Sequence, residues 1–170
     1  MKKKMHIYIY QPYPKFGGAD RSIIRIINGN NNSEFTLISL TKCNYKSYLN
    51  KKINYLKLNS KRSIYSIIEL RQKIEKLVKS SNFKKNIFVS NQNFANIITI
   101  LSLKKIKNLK TILIDRNHLD ELNYSKNWIH FLKNKIILFL IKMTYRKADA
   151  IVGISKILAN DLSKFIKKKV

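Results

Sequence analysis

The sequence predicts an α/β fold, a doubly wound and mostly parallel sheet. Three observations predict it. Short β-branched runs alternate with longer stretches of helical apolar spacing, no internal repeat or low-complexity linker interrupts them, and 45% apolar against 26% charged residues is a globular balance. At 170 residues the chain has the length of one domain, taken as 1–170.

The first strand is expected over about residues 5–10, where His6-Ile7-Tyr8-Ile9-Tyr10 alternates in the β pattern. Gln11 to Gly18 then lead into a helix bearing Ile23, Ile24, Ile26 and Ile27, which Asn28-Gly29-Asn30 terminates. Phe35 to Leu40 read as the second strand and Ile53 to Leu58 as a shorter third, with a Lys-, Asn- and Tyr-rich surface loop between them. Ser63 is the expected cap of a helix whose stripe is Ile64, Ile67, Ile68, Ile74, Leu77 and Val78, with Lys73, Lys76 and Lys79 facing water.

Ile87-Phe88-Val89-Ser90 is the next strand, 93–105 a nearly all-apolar helix, and Thr111 to Ile114 the strand after it, the last two central and buried. A polar loop from Asp115 to Lys126 precedes a long helix from about Asn127 to Lys147. Ala150 to Ile154 is the last strand, and Ser155 caps a final helix to about Lys167. In such sheets ligands bind beyond the carboxyl ends of the strands. The positions to watch are therefore Gly17 and Gly18, Ser90 to Asn96, Arg116 to His118, and Ser155.

Composition narrows the function classes. The net charge of +26 would attract phosphate polymers or anionic lipid heads. Lysine, isoleucine and asparagine share AT-rich codons, which accounts for part of the excess but not for the scarcity of acids. One cysteine, Cys43, excludes a disulfide framework and fits a reducing, cytoplasmic setting. The start Met1-Lys2-Lys3-Lys4 imitates a signal peptide, but Met5 to Tyr10 is too short a secretory core. The longest apolar run, Ile136 to Ile141, falls far short of the ~20 residues that span a bilayer.

Gly17 and Gly18 before a helix can turn bare N–H groups toward an oxyanion, or can simply mark a turn that needs positive φ. The segment lacks the third glycine of a dinucleotide fingerprint and the Gly-Lys-Ser/Thr of a phosphate loop. His118 ends a buried strand in Ile114-Asp115-Arg116-Asn117-His118 and is the best placed of three histidines; packing or solvent accounts for His6 and His130. No metal-ligand spacing is present. Asp115 and Asp120 are read as capping or solvated, and Cys43 as incidental. On helix 127–147, Trp128, Phe131, Leu132, Ile136, Ile137, Phe139, Leu140 and Met143 are read first as core. A second reading gives the helix a basic aromatic flank on anionic lipid, supplied by Lys126, Lys133, Lys135, Lys142, Arg146 and Lys147. Nucleic acid is disfavoured, since the aromatics are scattered and form no RNA-binding signature.

The chain resembles the N-terminal domain of glycosyltransferase family four, of the GT-B fold. The carriers are Gly17-Gly18-Ala19-Asp20-Arg21, Ser90 with Asn96 and the apolar helix up to Lys104, Asp115-Arg116-Asn117-His118, and Ala148-Asp149-Ala150-Ile151-Val152-Gly153-Ile154-Ser155. The resemblance implies a Rossmann-like acceptor-side domain and retaining transfer of a sugar from a nucleotide-sugar donor to a glycan or lipid-linked acceptor, with no separate cofactor. It implies that Gly17 and Gly18 approach the donor diphosphate or the acceptor, that His118 contacts the transferred sugar or an acceptor group, and that Arg116 and Asn117 line the same cleft. Asp20 stands where the family has Glu. It also implies work at the cytoplasmic membrane face and dependence on a C-terminal domain with a Glu-x7-Glu pair. That pair is not found here, so the chain alone is expected to be inactive.

Overall fold

Six strands and five α-helices make up the computed structural model, which describes residues 5–170, and they alternate except where β2 runs on to β3 without an α-helix; the basic start Met1–Lys4 lies outside the described residues. In chain order these are β1 (Met5–Tyr10), α1 (Gly18–Gly29), β2 (Ser33–Ser39), β3 (Asn54–Lys57), α2 (Ile67–Lys79), β4 (Lys85–Asn91) and α3 (Asn93–Leu103). They continue with β5 (Leu109–Asp115), α4 (Trp128–Thr144), β6 (Ala150–Gly153) and α5 (Lys156–Ile166). The strands form one sheet in the order β3-β2-β1-β4-β5-β6, and every neighbouring pair is parallel. The winding reverses between β1 and β4, so the crevice beyond their carboxyl ends is the topological switch point.

Alternation along β1 explains the two-sided core. Tyr8 and Tyr10 point to one face with Phe88, Leu70, Ile74 and Ile98, while Ile7 and Ile9 point to the other with Ile23, Ile27, Phe35 and Leu37. A third cluster joins Leu113 and Ile151 of the last strands to Ile141 of α4 and to Leu162 and Ile166 of α5. His6 is a packing residue: its ring stacks on Tyr8 at 4.3 Å and its Nε2 meets Thr36 Oγ1 at 2.8 Å.

Edge strand β6 is held by its own polar and steric locks. Asp149 accepts from the Thr111 N–H at 2.8 Å and from its hydroxyl at 3.0 Å, which fixes the register of β6 on β5. A Cβ at Gly153 would lie 2.9 Å from backbone atoms of Ala159, so only glycine permits α5 to approach this closely. Ser155 caps α5, as its position predicts, by accepting from the Leu158 N–H at 3.2 Å.

Four local expectations need correction. The segment between β2 and β3 is not simply a surface loop: Cys43, Tyr45 and Ile53 are buried against the α1 face, and Asn28 latches it through Tyr48 O at 2.9 Å and the Asn50 N–H at 3.0 Å. β2 begins earlier than expected, at Ser33. Ser63 does not cap α2. A 3-10 turn, Ser63–Ser66, precedes the helix, because the Ser66 hydroxyl is drawn inward to the buried Tyr10 hydroxyl at 3.0 Å and to Ser63 O at 2.7 Å; Ile64 and Ile68 are left exposed.

Helix α4 departs most from expectation. Only Asn134, Ile141 and Thr144 are buried along it, whereas Trp128, Phe131, Leu132, Ile136, Phe139 and Met143 face outward. The helix is apolar nearly all round but touches the domain along one narrow seam, so its outer face has no cover among the described residues.

Glu69 supplies the anchor that Ser63 does not. Its carboxylate accepts from the Asn59 N–H at 2.9 Å and the Ser60 hydroxyl at 2.8 Å and pairs with Lys73 at 2.8 Å. Partial burial opposes its ionisation, but Lys73 and these N–H donors outweigh that and bring its pKa down to about 2 from 4.5. A lowered carboxylate pKa stabilises the fold above the unfolded value and is lost as pH falls through the folded one. Glu69→Gln is therefore expected to cost about 1–2 kcal/mol at neutral pH. That difference should fade between pH 4.5 and about 2, as followed by thermal melting across that range.

Candidate functional site

All six strands are parallel, so the loops after β1, β4 and β5 leave from one edge, and the N-termini of α1 and α3 face the β1/β4 crevice. Gly17 and Gly18 start α1. Neither needs positive φ: Gly17 is extended at φ −87°, Gly18 is helical, and the left-handed position of the loop falls instead on Phe16 at φ 67°. Phe16 is held there by stacking on Tyr48 at 4.4 Å. A Cβ on Gly18 would meet nothing within 4 Å, so the space before the helix end is open. Of the two readings of this glycine pair, the turn requirement is removed.

Asp20 closes the start of α1 by accepting from the Gly17 N–H at 2.7 Å, the reciprocal half of a capping box. Its other oxygen, Oδ1, is buried without a partner, and burial pushes the carboxyl above its ordinary value against the pull of the Gly17 N–H. Arg116 reaches across from the end of β5. Its Nε donates to Asn91 Oδ1 and its Nη1 to the Ser22 hydroxyl at 3.1 Å, while Asn91 itself donates to Ala19 O at 3.4 Å. Burial lowers the Arg116 pKa and the charge of Asp20 opposes that, while Nη2 has no hydrogen-bond partner among the described residues. The guanidinium thus joins β5, β4 and the first turn of α1.

Ser90 and Asn96 turn inward. Both are fully buried: Asn96 accepts from the Ser90 hydroxyl at 2.6 Å and donates to Ile114 O at 3.0 Å and to the Tyr145 hydroxyl at 3.1 Å. They frame the crevice from beneath. Asn117 and His118 are exposed beyond β5; Asn117 donates to Glu121 at 2.7 Å, and His118 opens the short turn Leu119–Leu122. Asp115, fully buried just before them, has an unpartnered Oδ2; burial raises its pKa against the Asn117 N–H and the Tyr145 hydroxyl.

No family model and no curated protein matches the sequence. Among solved structures, the N-terminal domain of Candida albicans trehalose-6-phosphate phosphatase is similar at a TM-score of 0.54 and 10% identity, over 96% of this chain and 43% of that one. The fold is Rossmann-like. A short chain dehydrogenase family protein from Francisella tularensis subsp. tularensis SCHU S4 is similar at a TM-score of 0.48 and 13% identity, over 94% of this chain and 64% of that one. The present chain spans less than half the length of the first structure.

Several contacts at this edge carry no signal in the sequence, although Asn91, Gln92 and Asn93 lie in the stretch Ser90 to Asn96 that its place after a strand marks. Asn91, Ser22 and Tyr145 become site residues only through partners 25 to 94 positions away. Gln92 sits at φ 107°, a left-handed backbone rare for a residue with a side chain, directly at the switch point. Gln11 and Asn93 each bury an amide atom without a partner beside the same crevice. A cavity of about 1240 Å³ lies at the opposite edge.

Because Gly18 is helical and faces open space, Gly18→Ala is expected to raise stability by about 0.5 kcal/mol. A melting temperature lowered by that change would show that the backbone itself requires glycine here.

Proposed function

We propose that this chain is the N-terminal, acceptor-side part of a retaining glycosyltransferase, which moves a sugar from a nucleotide-sugar donor to a hydroxyl of a glycan or lipid-linked acceptor. One observation carries the reading. The Arg116 bond to Ser22 draws the Arg116-Asn117-His118 corner and the Gly17-Gly18 start of α1 onto one rim, at the switch point of the sheet.

The chemistry such a rim can do follows from its charges. The positive end of α1, whose Gly17 N–H is already taken by Asp20 but which has open space at Gly18, and the Arg116 guanidinium favour a diphosphate, whose negative charge grows as the sugar leaves. His118, exposed beside them, offers a ring nitrogen to a sugar or acceptor hydroxyl. A second Rossmann-like domain supplies the other wall of the cleft and the grip on the nucleotide. In this reading the isolated chain binds donor weakly and transfers nothing.

The test is a calorimetric titration of the chain with nucleotide-sugars, alone and with a family C-terminal domain added. Affinity should rise with the added domain and fall in Gly18→Asp, and in the reconstituted pair His118→Ala should lower turnover by about 100-fold while leaving nucleotide affinity intact. Affinity indifferent to both the partner and the glycine would overturn the assignment.

The outward face of α4 favours a second reading, a noncatalytic module at an anionic membrane. Trp128, the sole tryptophan, is 73% exposed beside Phe131 and Leu132, with Lys126, Lys133, Lys135 and Lys142 on the same helix or just before it. Each such lysine contributes ~1 kcal/mol at an anionic surface. Trp128 fluorescence should shift to the blue with phosphatidylserine vesicles and stay unchanged with phosphatidylcholine alone; equal shifts would remove the electrostatic part of this reading. Among the described residues no helix is long and apolar enough to cross a membrane.

A further inference from the structure

At the amino-terminal edge of the sheet, opposite the crevice, the end of α2 and the segments leading into β4 and β5 enclose a cavity of about 1240 Å³. Six lysines line it, Lys79, Lys84, Lys85, Lys105, Lys107 and Lys110, against two acids, Glu75 and Asp149. The acids are already engaged. Glu75 pairs with Lys79 at 2.9 Å, and the Asp149 carboxylate is taken by the N–H and hydroxyl of Thr111. Lys84, Lys85, Lys105, Lys107 and Lys110 therefore keep exposed ammonium groups with no carboxylate partner among the described residues.

Composition alone does not produce this placement. Lysines are six of the sixteen lining residues, a density about twice that of the chain. The segments around the crevice, 11–22, 90–96 and 115–118, hold a single lysine, Lys15. The unpaired lysines repel one another, a cost that a polyanion seated among them removes. The cationic groups are lysines without an arginine, which suits several separate phosphate charges rather than one planar bidentate anion. The concave shape, with Phe83 and Ile106 in its wall, suits a compact ligand rather than a long strand.

We propose that this cavity is a second binding site, for a compact group carrying several phosphates, either a free soluble anion or a lipid headgroup. It is independent of the sugar-transfer reading, which concerns the other edge. The probe is tripolyphosphate, titrated calorimetrically into the chain at low salt. The triple variant Lys84→Gln, Lys107→Gln, Lys110→Gln should bind it about tenfold more weakly with an unchanged melting temperature. The charge-matched triple Lys52→Gln, Lys61→Gln, Lys164→Gln, at exposed lysines outside the cavity, should keep wild-type affinity for it.

Phosphatidylcholine vesicles containing phosphatidylinositol bisphosphate distinguish the sources. Binding to them that the cavity triple loses identifies a headgroup, whereas tripolyphosphate binding without vesicle binding identifies a soluble ligand. Equal losses in both triples would reduce the site to general charge and overturn the proposal. So would no tripolyphosphate binding, or binding of a single-stranded oligonucleotide that tripolyphosphate does not displace.

Discussion

The carboxyl edge of the sheet depends on one buried amide. Asn96 sits at the first turn of α3 and ties the hydroxyl of Ser90 on β4, the carbonyl of Ile114 on β5 and the hydroxyl of Tyr145 beyond α4 into a single network. Ser90, Asn96 and Tyr145 are removed from water, so each broken link would leave a buried polar group unsatisfied, at roughly 1–3 kcal/mol apiece. The network fixes where β5 ends relative to β4, and therefore where Arg116 begins its reach toward Ser22. The rim of the crevice is thus set by residues buried beneath it.

Much of the architecture was legible because period-2 and period-3.6 patterns are local. β1, α3 and α5 could be placed from their own apolar spacing, and Ser155 from cap chemistry alone. Long-range partners are what the sequence hides. Asp149 binds Thr111, 38 residues earlier, and Glu69 closes on Asn59 and Ser60, contacts that no local pattern announces. The segment holding Cys43 and Tyr45 was misread because its lysines and asparagines mask the few apolar residues that bury it.

The residues behind the family resemblance divide into two physical groups. Ser90, Asn96, Asp149, Gly153 and Ser155 are occupied by the fold itself, through hydrogen bonds, close approach or capping. Gly18, Asn117 and His118 stand at the open rim, and Arg116 spans both groups. A shared pattern of the first kind speaks for architecture; only the second kind speaks for chemistry, and its members were the harder to judge from spacing. Helix α4 belongs to neither, since its apolar outer face fits no rule for a helix packed within a single layer.

The two outermost strands of the sheet, β3 and β6, are only four residues long. Such stubs present few unpaired amides, and Lys57 with the tightly approached Gly153 at their ends further discourages another chain from extending the array. A companion of this protein therefore finds more purchase on its side-chain surfaces than on the short free edges of the hydrogen-bonded ladder.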